Sequence, residues 1–172
     1  QTGEVFLMNW QVRDSLDGVP EFETPAGFAL RFYEPGDEAH WLRIHKAADD
    51  LLAYDGTIFG REFGADVEAL RRRQLYLCEA GGRPVGTATG WMGDAAHGVD
   101  WGRVHWVAIV REMQGRGLAK PLLSAVCRRL RDLGHERAFL TTSTARPRAI
   151  RLYLSFGFRP ETYDLSVKAA EM

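Results

Sequence analysis

No apolar run in this chain of 172 residues approaches the roughly 18 needed by a bilayer-spanning helix, so the sequence predicts no membrane span. Neither sign of charge is in excess. Lys and Arg total 22 against 23 Asp and Glu, and the formal net charge of -1 supplies no global field toward nucleic acid or an anionic membrane. Cysteine is scarce too. Cys78 and Cys127 lie far apart, form neither a CxxC pair nor a zinc spacing, and read as buried, reduced thiols of a cytoplasmic protein; no metal is expected. No internal repeat or low-complexity segment breaks the chain. A hydrophobic fraction of 45% and a charged fraction of 26% suit one globular domain with a proper core. The chain begins at Gln1 rather than Met, which leaves a trimmed leader open.

Periodicity organises the rest. EVFLMNWQV (Glu4–Val12) reads as a strand, followed by a linker rich in turn formers, and FALRFYE (Phe28–Glu34) alternates as the first main strand. Pro35-Gly36-Asp37 offers a turn and an N-cap, and Trp41, Ile44, Ala48 and Leu51 then fall at helical spacing. The segment from Asp50 to Asp66, with three glycines and two phenylalanines, predicts a structured loop or broken helix, and ADVEALRRR a short helix. QLYLCEA and RPVGTATGWM flank Gly81-Gly82 as a hairpin, GDAAHGVDWG is a loop, and RVHWVAIV (Arg103–Val110) is a central buried strand. Leu118, Leu122, Val126, Leu130 and Leu133 make one helical face closed by Gly134; Arg128, Arg129 and Arg131 are its solvated side. RAFLTTS is a strand, Thr144 caps a helix with Pro147 in its first turn and Gly157 at its end, and TYDLSVK is a last strand. Hairpins preceding one strand–helix–strand unit give a mixed α/β sheet with helices on its faces.

The stretch QGRGLAKPLL (Gln114–Leu123) joins the buried strand to the longest helical pattern. The first amides of a helix have no internal acceptor, and the helix dipole places about half a positive charge there. Glycines let an anion approach that backbone. A plain turn with two permissive glycines is the competing reading. A dinucleotide fingerprint fails, because Lys120 stands where a third small residue is needed. A GxxxxGK[ST] phosphate loop is absent.

Gln114-x-x-Gly117-x-Ala119 after a strand resembles the Q/R-x-x-G-x-G/A pyrophosphate signature of the GNAT superfamily of acyl-CoA-dependent N-acyltransferases. AIRLYLSFGF (Ala149–Phe158), about 35 residues on, resembles that family's second motif, A-I-x-L-Y-x-x-x-G-F. Together the motifs cover Arg103–Pro160. One departure is Arg146, where many members carry Asn. The resemblance implies a mostly antiparallel, twisted mixed sheet flanked by helices and splayed between its central strands. It divides the chain into an N-terminal strand and linker extension at 1–27 and an acetyltransferase domain at 28–172.

It further implies acetyl-CoA as cosubstrate, with backbone groups of Val107, Ala108 and Ile109 along the pantetheine arm. The amides of Gly115, Arg116, Gly117, Leu118 and Ala119 would lie on the pyrophosphate, with the Gln114 and Arg116 side chains alongside. Arg146, Arg148 and Arg151 stand in reach of phosphate or adenosine, and read equally well as a solvated helix surface. Tyr153 matches the motif tyrosine, a donor toward the leaving thiolate. An alkylammonium of pKa ~10.4 must lose a proton before it attacks, and His105, with an ordinary pKa of ~6.5, suits that task. Arg103 stands where certain protein-acetylating members have Glu. His97, Asp94 and Asp100 are further base candidates. Asp55 and Glu62 are placed to hold a cationic acceptor, and Phe59, Phe63, Trp91 and Trp106 to shape an apolar slot. The function so implied is transfer of an acetyl group from acetyl-CoA to an amine of a small molecule or peptide by direct attack, in a cytoplasmic monomer or homodimer with no nucleic-acid or membrane partner. The alternatives are a non-catalytic acyl-CoA sensor on the same fold and an interaction domain with neither ligand.

Overall fold

The computed structural model describes residues 8–161. Seven strands form one sheet in the order β2-β3-β4-β5-β6-β1-β7. They are β1 (Met8–Arg13), β2 (Phe28–Phe32), β3 (Gln74–Glu79), β4 (Pro84–Met92), β5 (Trp101–Ile109), β6 (Arg137–Ser143) and β7 (Arg159–Pro160). Every pairing is antiparallel except β5 with β6. The helices are α1 (Asp37–Ala48), α2 (Ile58–Phe63), α3 (Val67–Arg73), α4 (Ala119–Asp132) and α5 (Pro147–Ser155). Among the described residues no helix is long and apolar enough to cross a membrane. This is the mostly antiparallel mixed sheet expected from the sequence. The last strand expected at TYDLSVK lies outside the described residues.

Residues 8–13, from the N-terminal extension, enter the same sheet, between β6 and β7. The following linker is tied down as well. Ser124 of α4 donates to the Pro20 carbonyl at 2.8 Å and accepts from the Phe22 amide at 3.0 Å. α4 buries Leu122, Leu123, Val126, Cys127 and Leu130, the apolar face its periodicity announced. It lies close to the sheet because two strand positions facing it lack side chains. A Cβ added at Gly102 would come 2.6 Å from Leu130 Cδ2, and one at Gly90 would come within 3.1 Å of the same side chain. Gly134, at φ +92, then ends the helix region in a left-handed conformation.

The N-cap of α1 is Gly36, at φ 103, inside the Pro35-Gly36-Asp37 stretch expected to start the helix. Asp37 is buried and takes two bonds from Arg31 (2.7 and 2.9 Å) and one from the Glu34 amide (2.7 Å). Burial alone would raise its pKa, but these partners outweigh it and hold the carboxyl below the usual range. α1 stops at Ala48, short of Leu51, because Asp49 is fully extended (φ -156, ψ 170). α5 is flanked by Arg146, not Thr144, since a residue before proline is driven out of the helical region, and Arg146 sits at φ -114, ψ 67.

The inner face of α1 carries Trp41, Ile44 and His45 into the core. The His45 ring packs against Trp41, Trp106 and Tyr54, with centroids at 4.2, 5.3 and 5.6 Å, and its Nε2 has no hydrogen-bond partner. Burial pushes its pKa down to about 3; Asp49 opposes that and Arg146 adds to it. Burial likewise takes His105 to about 3, helped by Arg103 and His45. In the unfolded chain both return to about 6.5. Between these values the unfolded chain binds protons that the native chain refuses. Stability is therefore complete above pH 6.5 and falls as pH drops toward 3, by up to about 1.4 kcal/mol per pH unit for each histidine. Urea midpoints should fall between pH 7 and pH 4.5, and less steeply in His45→Phe. An unchanged slope in that variant would mean that His45 titrates normally in the native protein.

Candidate active site

β5 and β6 pair only from Trp101↔Arg137 to Arg103↔Phe139. Beyond Arg103, β5 continues beside β4 for six residues without β6, while Leu140–Ser143 of β6 pair with β1 on their other side. The sheet therefore splays, and one edge of β5 faces an open cleft with backbone donors and acceptors available. β5 also carries a bulge. Thr87 pairs with Ala108 and Thr89 with His105, so β5 holds one residue too many, and Trp106 adopts φ 52, the only positive φ outside glycine among the described residues. The Trp106 ring is wedged against Trp41 (5.4 Å), His45 (5.3 Å) and Tyr54 (6.3 Å), which holds this strained backbone in place.

At the end of β5 a 3-10 turn (Arg111–Met113) leads to the glycine loop. Gly115 and Gly117 take φ +78 and +75, and a Cβ at either would meet nothing within 4 Å, so open space lies over both. The amides of Gly115, Arg116, Gly117 and Leu118 donate to no group among the described residues, and α4 has no side-chain cap. Four free amides at a helix start, beneath open space, suit an anion. The Gln114 side chain is turned the other way. Its Nε2 donates to the carbonyls of Ala48 (3.0 Å) and Ile109 (2.9 Å), so it braces the loop against α1 and β5. Arg116 and Arg148 are exposed. Arg146 is paired with Asp49 at 3.0 Å, a link between the start of α5 and the end of α1.

Tyr153 of α5 is 7% exposed and stands edge-on to Phe158 at 6.2 Å. Burial pushes its pKa up to about 12, with Arg146 pulling the other way. Its hydroxyl is thus a committed proton donor at neutral pH.

One face of β5 carries Arg103 and His105, alternate residues on the side away from α4. His105 is 7% exposed, and its Nε2 lies 3.4 Å from Glu62 Oε2 of α2. Phe63 stands edge-on between His105 (5.6 Å) and Trp91 (5.3 Å). Arg103 lies over Phe139 at 5.7 Å and donates to Thr141 Oγ1 at 3.2 Å. At the rim, His97 stacks on Phe139 at 4.0 Å between Asp94 (2.8 Å) and Glu161 (3.3 Å).

Glu62, Phe63 and Trp91 are thus brought to His105, with Trp106 beside it, while Phe59 packs on Trp41 and Phe63. Asp55 is not among them; it is exposed and bonded to the Thr57 amide and hydroxyl. Asp100 is exposed, and its carbonyl serves the amides of Glu136 and Arg137. Sequence reasoning missed His45, Asp49 and Glu161. The spacing of His45 four residues after Trp41, on the same buried helix face, was the available signal for the first; Asp49 and Glu161 had none.

The family model described as "Acetyltransferase (GNAT) family" matches residues 41–158. Proteins named mycothiol acetyltransferase from Thermobispora bispora and Nocardia farcinica are 32% and 31% identical over 91% and 93% of this chain. The chain spans about 55% of the length of each. Among solved structures, a GCN5-related N-acetyltransferase from Sphaerobacter thermophilus superposes with a TM-score of 0.73 at 24% identity, over 90% of this chain and 48% of that one. The ribosomal-protein-S18-alanine N-acetyltransferase of Escherichia coli gives 0.64 at 20% identity, over 78% and 79%. At these identities the two structures speak for the fold, while the family match covers the cleft, the glycine loop and Tyr153 together: the chain belongs to the GNAT family of acetyltransferases.

Proposed function

We propose that this chain transfers an acetyl group from acetyl-CoA to an amine by direct attack. The observation that carries the proposal is the cleft itself, open along β5 and ending on four free amides at the start of α4. Acetyl as the group transferred is supported by the name the relatives carry. A cytoplasmic setting belongs to the same reading.

The pantetheine arm would run along Val107, Ala108 and Ile109, where β5 lacks β6, and an amide near the bulge would polarise the thioester carbonyl. The pyrophosphate would take the amides of Gly115–Ala119, with Arg116 and Arg148 free to add charge from the surface. The amine nitrogen attacks the carbonyl carbon, the C–N bond forms, and the amine proton becomes acidic. Burial keeps His105 neutral and, at a pKa of about 3, a weak base, so it orients the amine by a hydrogen bond and takes the proton on only as Glu62, 3.4 Å away, balances the charge. When the C–S bond breaks, Tyr153 donates a hydrogen bond to the departing sulfur. Full transfer to a thiolate of pKa ~8.5 from a hydroxyl at about 12 is uphill by roughly 5 kcal/mol, so water completes the protonation. A sensor would need the amides and the cleft but not Tyr153 or the Glu62–His105 pair. Release of free thiol from acetyl-CoA across an amine panel tests the difference; acetyl-CoA binding without release with any amine would favour the sensor.

Gly117→Val should weaken CoA binding by about 10-fold or more, because its side chain fills the space over the free amides. The left-handed backbone adds a folding cost of about 1–2 kcal/mol, so the melting temperature must be read alongside affinity. Full CoA affinity in the folded variant would remove the anion site from this loop.

Tyr153→Phe should lower kcat by about 100-fold or more with little change in acetyl-CoA affinity, since charge on sulfur grows only in the transition state. Wild-type turnover would reduce Tyr153 to packing.

With His105 held near 3, the rise of kcat/KM with pH should follow the acceptor's own pKa and move when the acceptor changes. His105→Gln and Glu62→Gln should each lower the plateau by about 100-fold without moving the rise. A limb fixed near pH 6.5 for every acceptor would instead mean that His105 is solvated and titrates as a free imidazole.

A further inference from the structure

Arg103 is a half-buried cation at the fork of β5 and β6, without a counter-ion among the described residues. Among the described residues it makes no ion pair, although its stem is half-buried at the point where β5 and β6 part. Its Nη2 donates to Thr141 Oγ1, a neutral acceptor, and its Nε is buried with no partner. Nη1 has no partner among the described residues and is not sealed from solvent. Burial lowers its pKa, and Glu62 and Asp94 stand close enough to oppose that through space. Both are engaged elsewhere. Glu62 faces His105, and Asp94 holds the His97 ring and the amides of Ala96 and His97. A partly desolvated guanidinium is costly unless an anion meets it.

We propose that Arg103 receives the carboxylate of the acceptor, so that the site acetylates the amine of a free amino acid or a close amino-carboxylate relative. The proposal rests on the acetyl-transfer reading above. Arg103 and His105 are alternate residues on one strand face, about 7 Å apart along the backbone. One small zwitterion can thus present its ammonium to Glu62 and His105 and its carboxylate to Arg103. The planar guanidinium fork suits a carboxylate through two parallel bonds, and Nη1 with the second Nη2 hydrogen is the edge left open. Trp91, paired across the sheet with Arg103, and Phe63 then give the acceptor's side chain an apolar wall. The step itself is unchanged. The C–N bond forms as C–S breaks, and the amine proton leaves by His105.

The test is a matched acceptor series with acetyl-CoA, read as thiol release: alanine against ethylamine, leucine against isopentylamine, and phenylalanine against phenethylamine, each rate divided by the neutral amine concentration. Phosphoethanolamine joins the series as an amine with a different anion. Wild-type enzyme should prefer the amino acid of at least one pair by about 10- to 100-fold in kcat/KM, and prefer it to phosphoethanolamine. Arg103→Gln should bring that ratio close to one, and Arg103→Lys should restore part of it. A wild-type ratio of one or less in every pair overturns the proposal, as does a ratio that survives in folded Arg103→Gln; preference for phosphoethanolamine overturns the carboxylate. If none of these amines is acetylated, the melting temperature of the CoA-bound protein decides. N-acetylphenylalanine should raise it and N-acetylphenethylamine should not; equal effects, or none, overturn the proposal. Failure of acetyl-CoA itself to raise the melting temperature would instead overturn the acetyl-transfer reading.

Discussion

The parting of β5 from β6 after Arg103 sets everything else in this structure. A parallel pair abandoned after three residues leaves unpaired backbone inside a sheet, and folded chains tolerate that only when something holds the edges apart. Here the load is shared. The bulge at Trp106 turns β5, and the packing of that ring against Trp41, His45 and Tyr54 fixes the turn. β6 is held from its other edge by β1. Gln114 binds the loop below the cleft to α1, and Arg146 binds α5 to the end of the same helix. The cleft, the glycine loop and the β5 face bearing Arg103 and His105 border one gap.

The gap also separates two kinds of chemistry. On the α5 side stands Tyr153, whose proton is held tightly by burial. On the α2 side stands His105, kept unprotonated by burial and set against a carboxylate. The same physical cause, exclusion of water, makes one group a donor and the other an acceptor. Neither needs a neighbour of special charge to be in the right state at neutral pH.

What was legible in the sequence was local. The glycine loop, the apolar face of α4, the β3–β4 hairpin and the motif around Tyr153 are written in short spacings, and they appear where those spacings put them. Features set by distant contacts were not. Nothing local forces a tryptophan to φ 52; only the aromatic residues of α1 and the segment after it do so. Gln114 reads as a phosphate ligand until α1 arrives to take its amide hydrogens. Asp55 and Glu62 looked alike as acids in one irregular segment, but α2 turns Glu62 inward while a turn at Thr57 keeps Asp55 outside. That Arg103 makes no ion pair among the described residues depends on distant contacts that turn Glu62 toward His105 and Asp94 toward His97.

The position of β1 has a consequence for how this molecule comes into being. Residues 8–13 fill the sheet between β6, which ends at Ser143, and β7, at Arg159–Pro160. Among the described strands β1 is made before the others, and it waits for its neighbours until β6 and β7 have followed it. Non-local pairing of this kind is slow, and a strand without its neighbours is open to other chains in the meantime. The cleft cannot acquire its second wall until that late closure, since β6 has no other antiparallel partner among the described residues. The half of the sheet from β2 to β5 joins strands in chain order and can assemble early; the order of synthesis thus builds the glycine loop and α4 first and the side of the cleft opposite them last.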